Sequence, residues 1–208
     1  MPKRKSSSRS WLREHQQDVY VRLAKRNGYR SRSSYKLLEI NERDRIIEPG
    51  MNVLDLGSSP GGWSQVASQL VGHSGRVIAS DILPMEKLPD VTFIEGDFTE
   101  TETYERVVSA IGDQSLNVVL SDMAPNLSGL SAVDQPRAMY LVELATELAS
   151  CLLSTGGTLA VKAFQGEGFE EWHRDIRTRF GRIVTRKPAA SRARSRELYI
   201  VATNFEAF

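Results

Sequence analysis

The chain reads as an α/β protein with a mostly parallel seven-stranded sheet and helices on both faces, and three observations predict it. Short apolar runs alternate with amphipathic helical segments after the Pro49-Gly50 turn. The stretch Val53 to Trp63 (Val-Leu-Asp-Leu-Gly-Ser-Ser-Pro-Gly-Gly-Trp) reads as a strand, a tight glycine turn and a helix start. The last two strand patterns follow one another without a helix, so they should pair antiparallel as a hairpin at or near one sheet edge.

In chain order, residues 1–10 are Ser/Lys/Arg-rich and are expected to be disordered without a partner. Asp18 to Arg26 is weakly helical. A clearer helix begins near Ser33, capped by Ser33 or Ser34, with Tyr35, Leu38 and Ile40 on its apolar face. Lys36 falls in its first turn, where a cation opposes the helix dipole and so invites a functional explanation. Strands are predicted at Asn52 to Leu56, Arg76 to Ser80, Val91 to Ile94, Asn117 to Ser121, Thr158 to Ala163, Arg182 to Arg186 and Glu197 to Ala202. Helices are predicted at Gly62 to Leu70, Thr103 to Ile111, Gln135 to Leu153 and Phe169 to Phe180. Pro136 suits the first turn of a helix starting near Asp134. With no internal repeat and no linker, residues 31–208 are expected to form a single domain behind a basic extension, residues 1–30, expected to be partly disordered and to contact a partner.

At 208 residues and 40% hydrophobic composition, the chain supports one substantial core. Its single cysteine, Cys151, excludes a disulfide framework or a cysteine-rich metal site, and no metal ligands are assigned. No apolar run is long enough to span a bilayer, and no apolar signal segment follows the basic N-terminus, so a soluble, cytoplasmic protein is expected; a monomer is expected as well. The net charge of +1 conceals a strong asymmetry. Residues 1–36 carry +9 and residues 174–196 carry +8, around a middle section of −14. Two basic segments flanking an acidic body suit a protein that grips a polyanion with selected surfaces, and both segments interleave aromatics or serines able to stack on bases or bond phosphates.

Polar positions fall at the carboxyl ends of successive strands: Asp55 to Gly62, Asp81, Asp97 and Asp122. In a doubly wound sheet these ends share one rim and converge on one crevice. An acid after the second strand can accept hydrogen bonds from ribose hydroxyls. Ser59 replaces the second glycine of a dinucleotide fingerprint, and no Lys-Ser/Thr pair marks a phosphate loop. Acids without a nearby cation suit a ligand with a positive centre, and S-adenosylmethionine meets that description better than NAD or ATP.

Five longer stretches carry a family resemblance: Asp-Leu-Gly-Ser-Ser-Pro-Gly-Gly-Trp-Ser-Gln, Ser-Asp-Met-Ala-Pro-Asn-Leu-Ser-Gly, Pro-Arg-Ala-Met-Tyr-Leu-Val-Glu-Leu-Ala, Val-Lys-Ala-Phe-Gln-Gly-Glu-Gly-Phe and Ser-Arg-Ala-Arg-Ser-Arg-Glu-Leu-Tyr-Ile-Val-Ala. From about Trp11 to Thr203 the chain resembles the FtsJ/RrmJ (RlmE) family of ribosomal RNA 2′-O-ribose methyltransferases. The resemblance implies a Rossmann-like S-adenosylmethionine-dependent methyltransferase sheet and a catalytic set at Lys36, Asp122, Lys162 and Glu197. It places cofactor contacts at Gly61, Trp63, Asp81, Asp97 and Asp122. It further implies a uridine in the A-loop of 23S rRNA, within the large (50S) ribosomal subunit late in assembly, as target. Ser58 and Ser59 depart from the two alanines common in the family.

The chemistry agrees with those positions. A ribose 2′-OH is a very weak acid, so methyl transfer needs a base or a cation that stabilises the developing alkoxide. A lysine can serve as that base when burial or a neighbouring cation lowers its pKa. On the residues alone, Lys162 is equally a lysine that ends an apolar strand and extends to solvent, and Glu197, after three arginines, is equally a surface ion-pair partner. A methyltransferase for small molecules or protein would explain the crevice but not the two basic segments. A non-catalytic RNA-binding assembly factor would explain the segments without needing Lys162 or Glu197.

Overall fold

The computed structural model describes residues 18–192 and 195–206. Residues 1–10, expected to be disordered, lie outside that span, as do Arg194 and the last two residues. The elements, in order, are α1 (Val19–Asn27), α2 (Ser34–Asp44), β1 (Asn52–Leu56), α3 (Gly62–Val71), β2 (Arg76–Asp81), β3 (Val91–Glu95), α4 (Thr101–Ile111), β4 (Leu116–Ser121), α5 (Ser131–Leu152), β5 (Leu153–Phe164), α6 (Phe169–Ile176), β6 (Phe180–Arg186) and β7 (Glu197–Phe205). The strands form one seven-stranded sheet in the order β3-β2-β1-β4-β5-β7-β6. All pairs from β3 to β5 are parallel, while β7 pairs antiparallel with both β5 and β6. The predicted hairpin is therefore present, with its second strand inserted between β5 and the edge strand β6.

Strand alternation divides the core into two layers. Leu54, Leu56, Val119, Leu159, Val161, Leu198 and Ile200 face α4, α5 and α6. Val53, Leu120, Ala160, Tyr199 and Val201 face the other way, against Leu37 and Ile40 of α2 and Trp63 and Val66 of α3. Each fully buried Leu or Ile side chain contributes roughly 1.5–3 kcal/mol to this sandwich. The order of strands reverses between β1 and β4, and a crevice opens above their carboxyl ends at such a point.

Several boundaries differ from the sequence reading. The buried face of α2 is Ser34, Lys36, Leu37 and Ile40; Leu38 is half-buried, and Tyr35 packs at a tilt against Tyr20 and edge-on against Tyr29. Ser33 occupies the N-cap position of α2 without a capping bond, and the Ser34 hydroxyl donates instead to the Gly62 carbonyl (3.0 Å). Helix α5 opens at Ser131, which places Pro136 in its second turn. Asp134 does not cap that helix; its carboxylate turns back onto the preceding loop. Helix α6 ends at Ile176 because Phe180 is already strand, paired with Phe205 across the hairpin. Strand β5 begins at Leu153, opposite Leu116, and resumes regular pairing at Thr158 after an irregularity. Cys151 is free and exposed. Among the described residues, no helix is long and apolar enough to cross a membrane.

Candidate active site

Period-two alternation assembles the site. Leu120, Ala160 and Val201 lie in the α2/α3 layer, so Asp122, Lys162, Tyr199 and Glu197, each an even number of residues away, point to that same face. Lys162 and Tyr199 are direct cross-strand partners in the β5–β7 pairing. Lys36 reaches the group from α2, and this explains a cation in a first helical turn: its ammonium meets Glu197 Oε1 at 2.8 Å and donates to Tyr199 Oη at 2.9 Å. Glu197 supplies the negative charge that the helix dipole does not.

A continuous hydrogen-bonded chain results. Glu197 holds Lys36, Lys36 donates to Tyr199, and the Tyr199 hydroxyl donates to Asp122 Oδ1 at 2.6 Å. Lys162 Nζ donates to Asp122 twice, to Oδ1 and to the main-chain oxygen, both at 2.7 Å. Two cations thus face two anions. Burial alone would raise the Asp122 carboxyl, but the Lys162 and Lys36 charges and the bonds from Lys162 and Tyr199 hold it below the usual aspartate value. Burial, reinforced by the Asp122 and Glu197 charges, pushes the Tyr199 hydroxyl well above its usual range, so it stays a donor. Tyr199 escaped the sequence reading because a tyrosine within Leu-Tyr-Ile-Val reads as core. The available signal was its position two residues after Glu197, on the same face of the strand.

The second half of the site is the turn after β1. Gly57 adopts φ +71°, and a Cβ there would lie 2.2 Å from Met123 Cγ, so the Asp122-Met123 segment passes directly over the turn. Gly62 admits the N-terminal segment just as closely, since a Cβ would lie 2.1 Å from Ser31 Oγ. Asp81 pins the turn by accepting from the Ser59 N–H (2.8 Å) and the Leu83 N–H (2.8 Å). An ionised carboxylate has about four lone-pair sites, which leaves capacity for ribose hydroxyls. Beneath the turn, fully buried Asp55 accepts from the Ser64 hydroxyl at 2.6 Å. Its other oxygen is buried without a partner, as are the hydroxyls of Ser58 and Ser80. Burial raises Asp55 to about 7, against the Ser64 bond and with help from the Asp122 and Asp81 charges.

The structure therefore brings Lys36, Asp122, Lys162 and Glu197 together and seats Gly61 and Asp81 at the neighbouring turn. Trp63 enters differently: its side chain is 2% exposed, its indole N–H donates to the Ser33 carbonyl, and its ring packs 5.6 Å from that of Tyr199. Its indole braces the ionic chain, and its main-chain N–H in the first turn of α3 remains for a ligand. Asp97 stands outermost, after β3, and one oxygen is engaged by the Thr99 N–H and hydroxyl of its own turn. The Ser59 hydroxyl bonds the Pro84 carbonyl at 3.2 Å, so this departure from alanine adds a tie across the turn. Glycines that admit close approach, acids along the rim and unpartnered buried oxygens fit a nucleoside ligand with a positive centre.

The basic segments also converge. Arg32 bonds both Asp18 and the Ala190 carbonyl, joining the N-terminal segment to the loop before β7. Some of their cations are engaged internally: Arg30 holds the carbonyls of Pro60, Glu86 and Lys87, and Arg186 pairs with Asp44 at 2.6 Å. Arg22, Lys25, Arg26, Arg174, Arg177, Arg182 and Arg196 remain exposed.

Comparison with known proteins identifies the family. The model of the FtsJ-like methyltransferase family matches residues 29–205. A Pseudomonas aeruginosa protein named ribosomal RNA large subunit methyltransferase E is 57% identical over 202 residues, covering 97% of this chain and 98% of its own. A protein of the same name from Alcanivorax borkumensis is 61% identical over 196 residues, 94% of each chain. The crystal structure of a Plasmodium falciparum protein, described as a ribosomal RNA methyltransferase, superposes with a TM-score of 0.75 at 25% identity, covering 86% of this chain and all of that one. Matched along nearly its whole described length in sequence and in fold, the chain belongs to the FtsJ-like methyltransferase family.

Proposed function

We propose that the protein methylates the ribose 2′-OH of a uridine in the 23S rRNA A-loop, within the large ribosomal subunit at a late stage of assembly, using S-adenosylmethionine. The observation that carries this reading is the chain Glu197–Lys36–Tyr199–Asp122–Lys162 beside the glycine turn. The names of the relatives support ribosomal RNA as the substrate class, and the family resemblance supports the ribose, the uridine and the A-loop. The protein acts as a cytoplasmic monomer, with residues 1–30 as an RNA-contacting extension of the catalytic domain 31–208.

Gly61, the main-chain N–H of Trp63, Asp81, Asp97 and Asp122 hold the cofactor, which supplies a methyl group activated on a sulfonium. Lys162 is the base. Its two bonds to Asp122 orient Nζ; after the ammonium passes one proton to solvent, the freed lone pair accepts the ribose proton as the oxygen attacks. Asp122 fixes the amine, and Tyr199 and Lys36 fix Asp122. The exposed arginines of the two basic segments bind phosphate, so affinity for RNA should fall steeply with salt.

Mapping of ribose methylation on rRNA from cells with and without the protein tests the reading. Loss of one 2′-O-methyl mark in the A-loop is expected, and an unchanged map would refute it. Neutralising Arg192 and Arg196 should flatten the salt dependence of RNA binding; an unchanged slope would remove that loop from the interface.

A further inference from the structure

The segment between Asp122 and α5 carries apolar side chains held out into solvent. Leu127 is 64% exposed, Leu130 63% and Val133 37%, and Tyr140 is 57% exposed two turns further along α5. Arg137 is exposed between Val133 and Tyr140, and the spacing 130, 133, 137, 140 places these residues on one helical face.

This face is built rather than loose. Asp134, itself 8% exposed, accepts from the Ser128 N–H (2.8 Å), the Ser128 hydroxyl (2.8 Å) and the Gly129 N–H (2.9 Å). These three bonds fix the loop that carries Leu127 and Leu130. The segment is tied to the catalytic centre at both ends. It starts at Asp122, and Ser131 accepts from Arg196 Nη2 at 3.2 Å, next to Glu197. The apolar surface therefore lies along the rim of the methyl-transfer site.

We propose that Leu127, Leu130, Val133 and Tyr140 form a ledge on which an unstacked nucleobase neighbouring the target nucleotide rests, with Arg137 and Arg196 holding its phosphates. This rests on the reading of the protein as an RNA ribose methyltransferase. A ribose hydroxyl reaches an enclosed base only when its nucleotide leaves the stack, and the exposed neighbouring base then needs an apolar or aromatic surface. Charge complementarity favours RNA over a protein partner at the near end, where Arg137 and Arg196 flank the ledge. Glu143 and Glu147, exposed further along α5, repel a polyanion and end the footprint near Tyr140. Asp134 is a positioning residue for the ledge.

Large subunits isolated from cells lacking the protein provide the probe. The wild-type protein methylates them if the underlying reading holds, and absent methylation would refute that reading separately. Given wild-type methylation, Leu127→Ser combined with Leu130→Ser should raise KM for subunits about tenfold, with kcat, cofactor affinity and the salt slope unchanged because no charge is removed. Arg137→Ala should instead lower the salt slope by about 0.7, the value for one phosphate on a single strand. A photo-crosslinking amino acid at position 140 should attach to rRNA within a few nucleotides of the methylated ribose. An unchanged KM in the double variant, or crosslinks to ribosomal protein alone, would overturn the proposal.

Discussion

On the β1–β3 side of the rim, Asp55 and Asp81 are held by a hydroxyl and by main-chain N–H groups. On the β4–β7 side, Asp122 and Glu197 are held by lysines. The same residue type consequently behaves in opposite ways. Asp55, buried without a cation, rises to about 7; Asp122, beside two cations, falls below its usual value. The first side has acids without cations, and the second carries its own balanced charge.

Removing the base should separate the two sides most sharply. Lys162→Ala is expected to lower kcat at least 100-fold, the lower end of what a general base contributes, while the cofactor dissociation constant measured by calorimetry changes less than threefold. Near-normal turnover would remove Lys162 from the mechanism.

The next largest effect concerns the buried acid. Because its folded pKa lies above the unfolded value, Asp55 keeps its proton after the unfolded chain has released it. Its contribution to stability is complete below about pH 4, falls as pH rises toward 7, and stays lost above that. Asp122 has the opposite sign, adding stability above its unfolded pKa and losing it as pH falls through the lowered folded value. Asp55→Asn should therefore flatten the decline between pH 4 and 7 and leave the variant about 3–4 kcal/mol less sensitive to that change, as read from urea unfolding across the range. A curve identical to wild type would show that Asp55 ionises normally.

A smaller effect is expected at the centre of the ionic chain. Tyr199→Phe removes the hydroxyl shared by Lys36 and Asp122, and should cost about 1–3 kcal/mol of stability and roughly tenfold in kcat, with cofactor binding preserved. Smallest of all, Arg43→Ala deletes an exposed pair with Glu39 one helical turn away and should change stability by less than about 0.5 kcal/mol.

How much of this was legible in the sequence follows from what each residue contrasts with. Asp122, Lys162 and Glu197 stand out as charges at the ends of apolar strands, and Lys36 stands out against its helix dipole. Their partnership was not legible from spacing, because Glu197 lies 161 residues beyond Lys36 and only the placement of β7 beside β5 brings them together. Tyr199 offers no contrast to an apolar strand, and Trp63 resembles a site residue while its indole is spent on packing. The helix boundaries at Ser131 and Ile176 were misplaced for a related reason. Asp134 has the chemistry of a cap but serves the loop behind it, and Phe180 fits a helical face until its strand partner is known.

The even match of two lysines with two carboxylates has a kinetic consequence. A balanced group of this kind casts little field beyond its own walls, so under the proposed function the long-range attraction of RNA is expected to fall to the basic segments at the periphery. Dissolved ions are therefore expected to govern how often a substrate arrives, and turnover of substrate already bound among buried, mutually compensated groups is expected to be indifferent to them.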